Sequence, residues 1–90
     1  MKIVTICGAG IGTSAILKVS AERALSTLGL EAEVLATNVS RVREDAEDAQ
    51  VILTTAEHLG AIGDTYADVI VIQNILDQDE LTSKLETALA

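Results

Sequence analysis

Residues 6–14 read Ile-Cys-Gly-Ala-Gly-Ile-Gly-Thr-Ser, and Cys7 is the only cysteine of the chain. Glycines at 8, 10 and 12 let the backbone adopt conformations closed to other residues and come close to a ligand. Consecutive N–H groups in such a loop can converge as a nest for an anion, and a helix opening near Thr13 adds the positive end of its dipole. The hydroxyls of Thr13 and Ser14 can donate to that anion or cap the helix. The same field lowers a thiol pKa from about 8.5 toward about 3.5–7.5, and the thiolate is the nucleophile. Phosphoryl transfer to sulfur needs a cradle for three equatorial oxygens. Cys7, Gly8, Ala9, Gly10, Ile11, Gly12, Thr13 and Ser14 can supply one without a cationic side chain. An inert core cysteine would explain the thiol, but not the three glycines and helix start directly after it.

Better-known loops fit less well. The dinucleotide fingerprint GxGxxG, begun at Gly8 and Gly10, requires a glycine where Thr13 stands. A Walker A loop requires Gly-Lys before its Ser/Thr, and the first lysine beyond the loop is Lys18. The spacing also resembles the Cys-x5-Arg-Ser/Thr loop of low-molecular-weight tyrosine phosphatases, with Thr13 in place of the arginine. That arginine grips the phosphoryl group in a bidentate fashion and stabilises the charged transition state. The chain has no proline, so an Asp-Pro general acid is excluded as well. A phosphocysteine formed here would lack the groups that drive hydrolysis and would persist until an acceptor arrives.

Such a loop needs elements to hold it. Lys2–Ile6 is a short, β-branched, apolar run, the pattern of a buried strand. Ser14 to Leu28 carries Leu17, Ala21, Ala24 and Leu28 at helical spacing, and Gly29 is a natural stop. Strands are predicted at Ala32–Thr37, Val51–Thr54 and Val69–Ile72. Between them, Ser40 could cap a short helix over Arg41–Ala46, and a weak helical turn is expected over Glu57–Ile62. Asp77 or Asp79 opens a last helix with Leu81, Leu85 and Leu89 on one face. This βαβαβαβα order implies an α/β fold: a four-stranded parallel sheet of flavodoxin-like order 2-1-3-4 with helices on both faces. Ligands bind such sheets at the carboxyl ends of the strands where the order reverses. Here that is the end of the first strand, where Cys7 follows.

Ninety residues make one domain, 1–90, and an apolar content of 49% supplies a core of Ile, Leu, Val and Ala without metal or disulfide. A single cysteine excludes an internal disulfide and multi-Cys zinc sites, and fits a reducing, cytoplasmic compartment. The net charge of −8 argues against nucleic acid as partner. Residues 1–30 carry Lys2, Lys18 and Arg23 against Glu22, a balance of +2; residues 31–90 carry a balance of −10. The glycine loop therefore lies in the only third of the chain that is not acidic. No apolar run approaches the roughly 20 residues of a membrane span. Residues 3–17 follow Lys2 in the manner of a signal peptide, but three glycines interrupt them and no small-residue cleavage site follows. Thr54, Thr55 and Asn74 follow strands on the edge of the loop and could add donors, though strand-end turns explain them. Arg41 and Arg43, after the second strand on the same edge, could meet an acidic partner or the phosphate but read as surface arginines; His58, the only histidine, could serve as a relay but reads as a surface residue. No co-ligands for a metal are found, and no cofactor is expected.

A strand followed by CGxGxGTS and a helix, at the start of an acidic α/β domain of this size, resembles the enzyme IIB components of the bacterial sugar phosphotransferase system (PTS). The resemblance is greatest to the ascorbate-type branch of the ascorbate/galactitol group. Ala49–Thr55 (AQVILTT) is similar to that branch's third strand, and Val71–Leu76 (VIQNIL) to its fourth strand and exit. The resemblance implies a phosphotransferase that takes a phosphoryl group from phosphohistidine on a IIA protein and holds it on Cys7. It then passes the group to a sugar, ascorbate-like or related, carried by a membrane IIC component. Gly8, Ala9, Gly10, Ile11, Gly12, Thr13 and Ser14 would cradle the phosphate in a cytoplasmic protein that meets the membrane only through IIC. A low-molecular-weight phosphatase or arsenate-reductase-like hydrolase on the same loop is the alternative reading. A regulatory module that binds phosphate without turnover is a third.

Overall fold

The computed structural model describes residues 1–6, 11–63, 65 and 67–89. The chain runs β1 (Lys2–Ile6), α1 (Ile11–Leu28), β2 (Glu33–Thr37), α2 (Val42–Asp45), β3 (Val51–Thr54), α3 (Leu59–Ile62), β4 (Asp68–Val71) and α4 (Gln78–Leu89). Short 3-10 turns at Val39–Arg41 and Ala56–His58 lead into α2 and α3. All strand pairs are parallel, and the sheet order is β2-β1-β3-β4, as the sequence pattern implies. The register sets Ile3 between Val34 and Val51, and Val51 opposite Asp68.

Alternation along the central strands divides the core into two layers. Ile3, Val51, Leu53 and Ile70 meet Leu17, Ala21, Ala24 and Leu25 of α1 and Leu81 and Leu85 of α4. On the other face Val4, Ile6 and Ile52 meet Val42 of α2, Ala46 just after it, and Ile62 of α3. A strand buried on both sides must be apolar throughout, which is why KIVTI and VILT read as continuous runs.

The boundaries differ from the sequence reading in informative ways. The first helix starts at Ile11, three residues before Ser14, so Gly12, Thr13 and Ser14 belong to its opening turn. Its buried stripe includes Leu25, while Leu28 is only half buried. Gly29 ends the helix with a positive φ of 71°. Its N–H donates to Ser26 O at 3.2 Å and Leu30 N–H to Leu25 O at 2.9 Å, the two bonds of a Schellman stop. The cap after β2 is Asn38, not Ser40: Asn38 Oδ1 accepts from Arg41 N–H at 3.2 Å, and Ser40 Oγ donates to the same oxygen at 2.6 Å. The second and fourth strands span Glu33–Thr37 and Asp68–Val71, each shifted by one residue from expectation at one or both ends.

At α4, Asp77 Oδ1 accepts from Glu80 N–H at 3.1 Å, so Asp77 is the cap. The Glu80 carboxylate turns back to accept from Gln73 N–H at 2.9 Å and Asn74 N–H at 3.0 Å, and Lys84 Nζ lies 2.7 Å from it. These bonds fasten the segment between β4 and α4 to the helix. With Lys84 the leading cause, followed by the two amides, the Glu80 carboxyl is held at about 2 against an ordinary 4.5. A depressed carboxyl pKa contributes stability that is fully present above the ordinary value and is lost as pH falls through the folded one. Wild type should therefore melt above Glu80→Gln at neutrality. That gap should narrow from pH 4.5 downward and close by about pH 2. A gap unchanged across thermal melts in this range would remove Glu80 as the cause.

Candidate functional site

The sheet order reverses at β1, which has β2 on one side and β3 on the other. Open α/β sheets bind ligands in the crevice at such a point, beyond the carboxyl ends of the strands. Strand β1 ends at Ile6, fully buried, and α1 begins at Ile11. The expected nucleophile Cys7 and cradle residues Gly8, Ala9 and Gly10 lie between them, outside the described residues. Ile11, Gly12, Thr13 and Ser14 form the first turn of α1, where leading amides have no acceptor inside the helix. That turn carries no acidic residue, so the positive end of the helix is not offset by its own side chains. Starting the helix at Ile11 moves its positive end closer in sequence to Cys7 than a start near Thr13 would.

The remaining sequence candidates sort themselves by their partners. Thr54 is buried and its hydroxyl donates to Thr55 O at 3.1 Å. Thr55 Oγ1 donates to Glu57 Oε1 at 2.9 Å, and Asn74 Oδ1 accepts from Leu76 N–H at 3.0 Å. All three serve strand-end turns. Arg41 is exposed, with Nε 3.7 Å from Asp45 Oδ2, while Arg43 lines a cavity on the α2/α3 face beside Glu47. His58 departs from expectation: its side chain is only 15% exposed, with Nε2 3.5 Å from Glu57 Oε1. It ends the 3-10 turn, Ala56–His58, that leads into α3. Lys2, counted among the cations of the loop's third of the chain, sits at the opposite end of β1 and pairs with Asp48 at 2.8 Å. The cations that remain with the loop's helix are Lys18 and Arg23.

Sequence reasoning passed over Glu80. The signal was there: Asp77 followed three residues later by Glu80 is the spacing of a capping box. A groove of about 400 Å³ runs between α1 and the segment before α4, and exposed Ile16, Val19 and Leu76 lie along it. Among the described residues there is no group of three His, Cys, Asp or Glu side chains able to hold a metal ion. No described helix is long and apolar enough to cross a membrane.

A family model described as the lactose/cellobiose-specific IIB subunit of the PTS matches residues 2–87, from the start of β1 through the Cys7 segment and into α4. The chain belongs to this PTS IIB family. A relative, the ascorbate-specific PTS system EIIB component of Mycoplasma pneumoniae, is 24% identical over 90 residues, 99% of this chain and 95% of that one. As a IIB component the chain is a phosphoryl carrier of a sugar PTS, and its reaction is of the phosphotransferase kind. PTS IIB components work in general with a IIA protein and a membrane IIC component. The family description and the relative's name carry different sugars, so the IIB assignment is common to both and the sugar is not.

Proposed function

We propose that this IIB chain carries its phosphoryl group on Cys7, receiving it from phosphohistidine on a IIA partner and delivering it to a sugar held by a membrane IIC component. The observation that carries the reading is the IIB family match across residues 2–87, which includes a chain with a single thiol. The fold adds support, because that thiol follows the strand at which the sheet order reverses. In the first step the Cys7 thiolate attacks phosphorus; the S–P bond forms as the P–N bond breaks, and the leaving imidazole keeps the bonding pair and takes up a proton. In the second, a sugar hydroxyl attacks phosphorus, the S–P bond breaks, the thiolate is regenerated and the hydroxyl proton is lost to solvent. Residues 8–14 would cradle the phosphoryl oxygens with backbone amides, and the positive end of α1 would favour both the thiolate and the charged group it carries. The ascorbate-specific relative makes an ascorbate-like sugar the first substrate to try. The protein would work in the cytoplasm and reach the membrane through IIC.

The test is intact mass after incubation with a phosphorylated PTS relay. One added phosphoryl group on the wild-type chain is expected, together with p-nitrophenyl phosphate turnover no higher than background. Absence of the adduct under conditions that phosphorylate the IIA partner would refute the carrier reading. Brisk turnover would favour a hydrolase built on the same loop.

A further inference from the structure

Strand β4 closes the sheet order, and among the described residues no strand pairs with its outer side. Asp68 N–H donates to Gln50 O at 2.9 Å and Ile72 N–H to Thr54 O at 2.8 Å. Alternation then turns the N–H and C=O groups of Val69 and Val71 away from β3, toward the open side. Lys84 of α4 reaches one of these groups: its Nζ donates to Val71 O at 2.7 Å, and Glu80 Oε2 holds the same ammonium at 2.7 Å. A groove of about 590 Å³ runs between β4 and α4, flanked by Ser83, Thr87 and Ala88. These small side chains leave room beside the strand.

We propose that Lys84 is a lock on the open edge of the sheet, and that the edge it closes is a strand-pairing surface for β4 of a second copy of this chain. The occupant follows from the strand itself. An antiparallel pair about a two-fold axis through Ile70 sets Val69 opposite Val71 of the other copy, in both directions, and uses all the outward groups at once. Val71 O is needed for that ladder, and Lys84 already occupies it. An amine on an edge is a common means of blocking such pairing. The Glu80 contact keeps the amine in place, so the lock does not depend on an unanchored side chain. Net charge adds a second barrier, since two copies of charge −8 repel, and added salt weakens that repulsion.

Sedimentation velocity over a wide concentration range tests the proposal, with circular dichroism to verify folding. Lys84→Met, which keeps most of the aliphatic stem and loses the amine, should self-associate more tightly than wild type. A two-fold pair removes two locks, and each is expected to contribute roughly tenfold, or roughly a hundredfold per dimer. The association should strengthen with salt. Adding Val71→Pro to that variant should restore the wild-type behaviour, because the proline removes only an outward-facing donor. If the proline variant does not fold, Thr87→Glu in the groove serves the same purpose. Lys84→Ala, with its higher helix propensity, repeats the measurement if methionine disturbs α4. Association of both lock variants equal to wild type would overturn the proposal. So would a dimer that survives the blocking substitution.

Discussion

Replacing Cys7 by serine is expected to abolish phosphoryl uptake from a phosphorylated IIA partner, by a factor on the order of a thousand or more. The two side chains have similar shapes, so the comparison isolates the chemistry of the attacking atom. A thiol needs only a modest field to reach its anionic form near neutral pH, while a hydroxyl without an adjacent base remains a weak nucleophile. The chain offers no second thiol to take over, since Cys7 is unique. Nothing in the motif supplies the base that a serine would need: position 13 is threonine, and the opening turn of α1 holds no acid. The pH dependence of iodoacetamide alkylation gives a second measurement on the same atom. If the start of α1 at Ile11 acts on Cys7 as proposed, the alkylation midpoint should lie below the ordinary thiol value of about 8.5. Equal phosphoryl uptake by wild type and Cys7→Ser would remove Cys7 from the reaction.

Much of the architecture was legible in the sequence because strand and helix leave different periodicities. KIVTI and VILT lack polar alternation because β1 and β3 are covered on both faces, as the strands of a parallel sheet are. Alternation of strands with helices and right-handed crossovers then leave few topologies, and 2-1-3-4 is the one found. The misplaced details share a cause. Apolar spacing marks the middle of a helix, whereas its ends are decided by backbone hydrogen bonds made to particular side chains. Apolar spacing sets the expected start of the first helix at Ser14, yet Ile11 and Gly12 join α1 because the rest of a long, well-anchored helix carries them. Asn38 displaced Ser40 as the cap because its side chain reaches Arg41 N–H while the serine hydroxyl donates to Asn38 itself. The Glu80 bonds to residues 73 and 74 depend on how the chain turns after β4, which no local pattern specifies. At the site, residue chemistry points to Cys7 as the nucleophile and residues 8–14 as the cradle; the family match supports the class of reaction, while Cys7, Gly8, Ala9 and Gly10 lie outside the described residues.

Leu17→Ala should be the most destabilising truncation on the helix that follows the loop. Leu17 is fully buried, and its cluster joins α1 to both the sheet and α4. Removing the side chain forfeits its transfer free energy and leaves a cavity that a rigid three-element contact cannot collapse, a loss of about 3 kcal/mol within a typical span of roughly 2–5. For a domain of this size each kcal/mol corresponds to a fall in Tm of about 4–8 °C, and total stability is only about 5–15 kcal/mol. The variant should therefore fold at low temperature and melt far below wild type. Two substitutions on the same helix set the scale. Leu17→Met conserves volume and should lose less than about 1.5 kcal/mol. Val19→Ala, at a position 45% exposed, should stay within about 0.5 kcal/mol of wild type. Equilibrium urea unfolding of the three variants measures the differences directly. Comparable losses at positions 17 and 19 would mean that α1 is not fastened through its inward stripe. Losses confined to position 17 would make the seating of α1, and with it the position of the turn that begins at Ile11, a consequence of core packing. In that case phosphoryl uptake by Leu17→Ala should track the folded fraction as temperature rises, because the proposed site, residues 7–14, is unaltered in sequence and only the helix it leads into has been weakened.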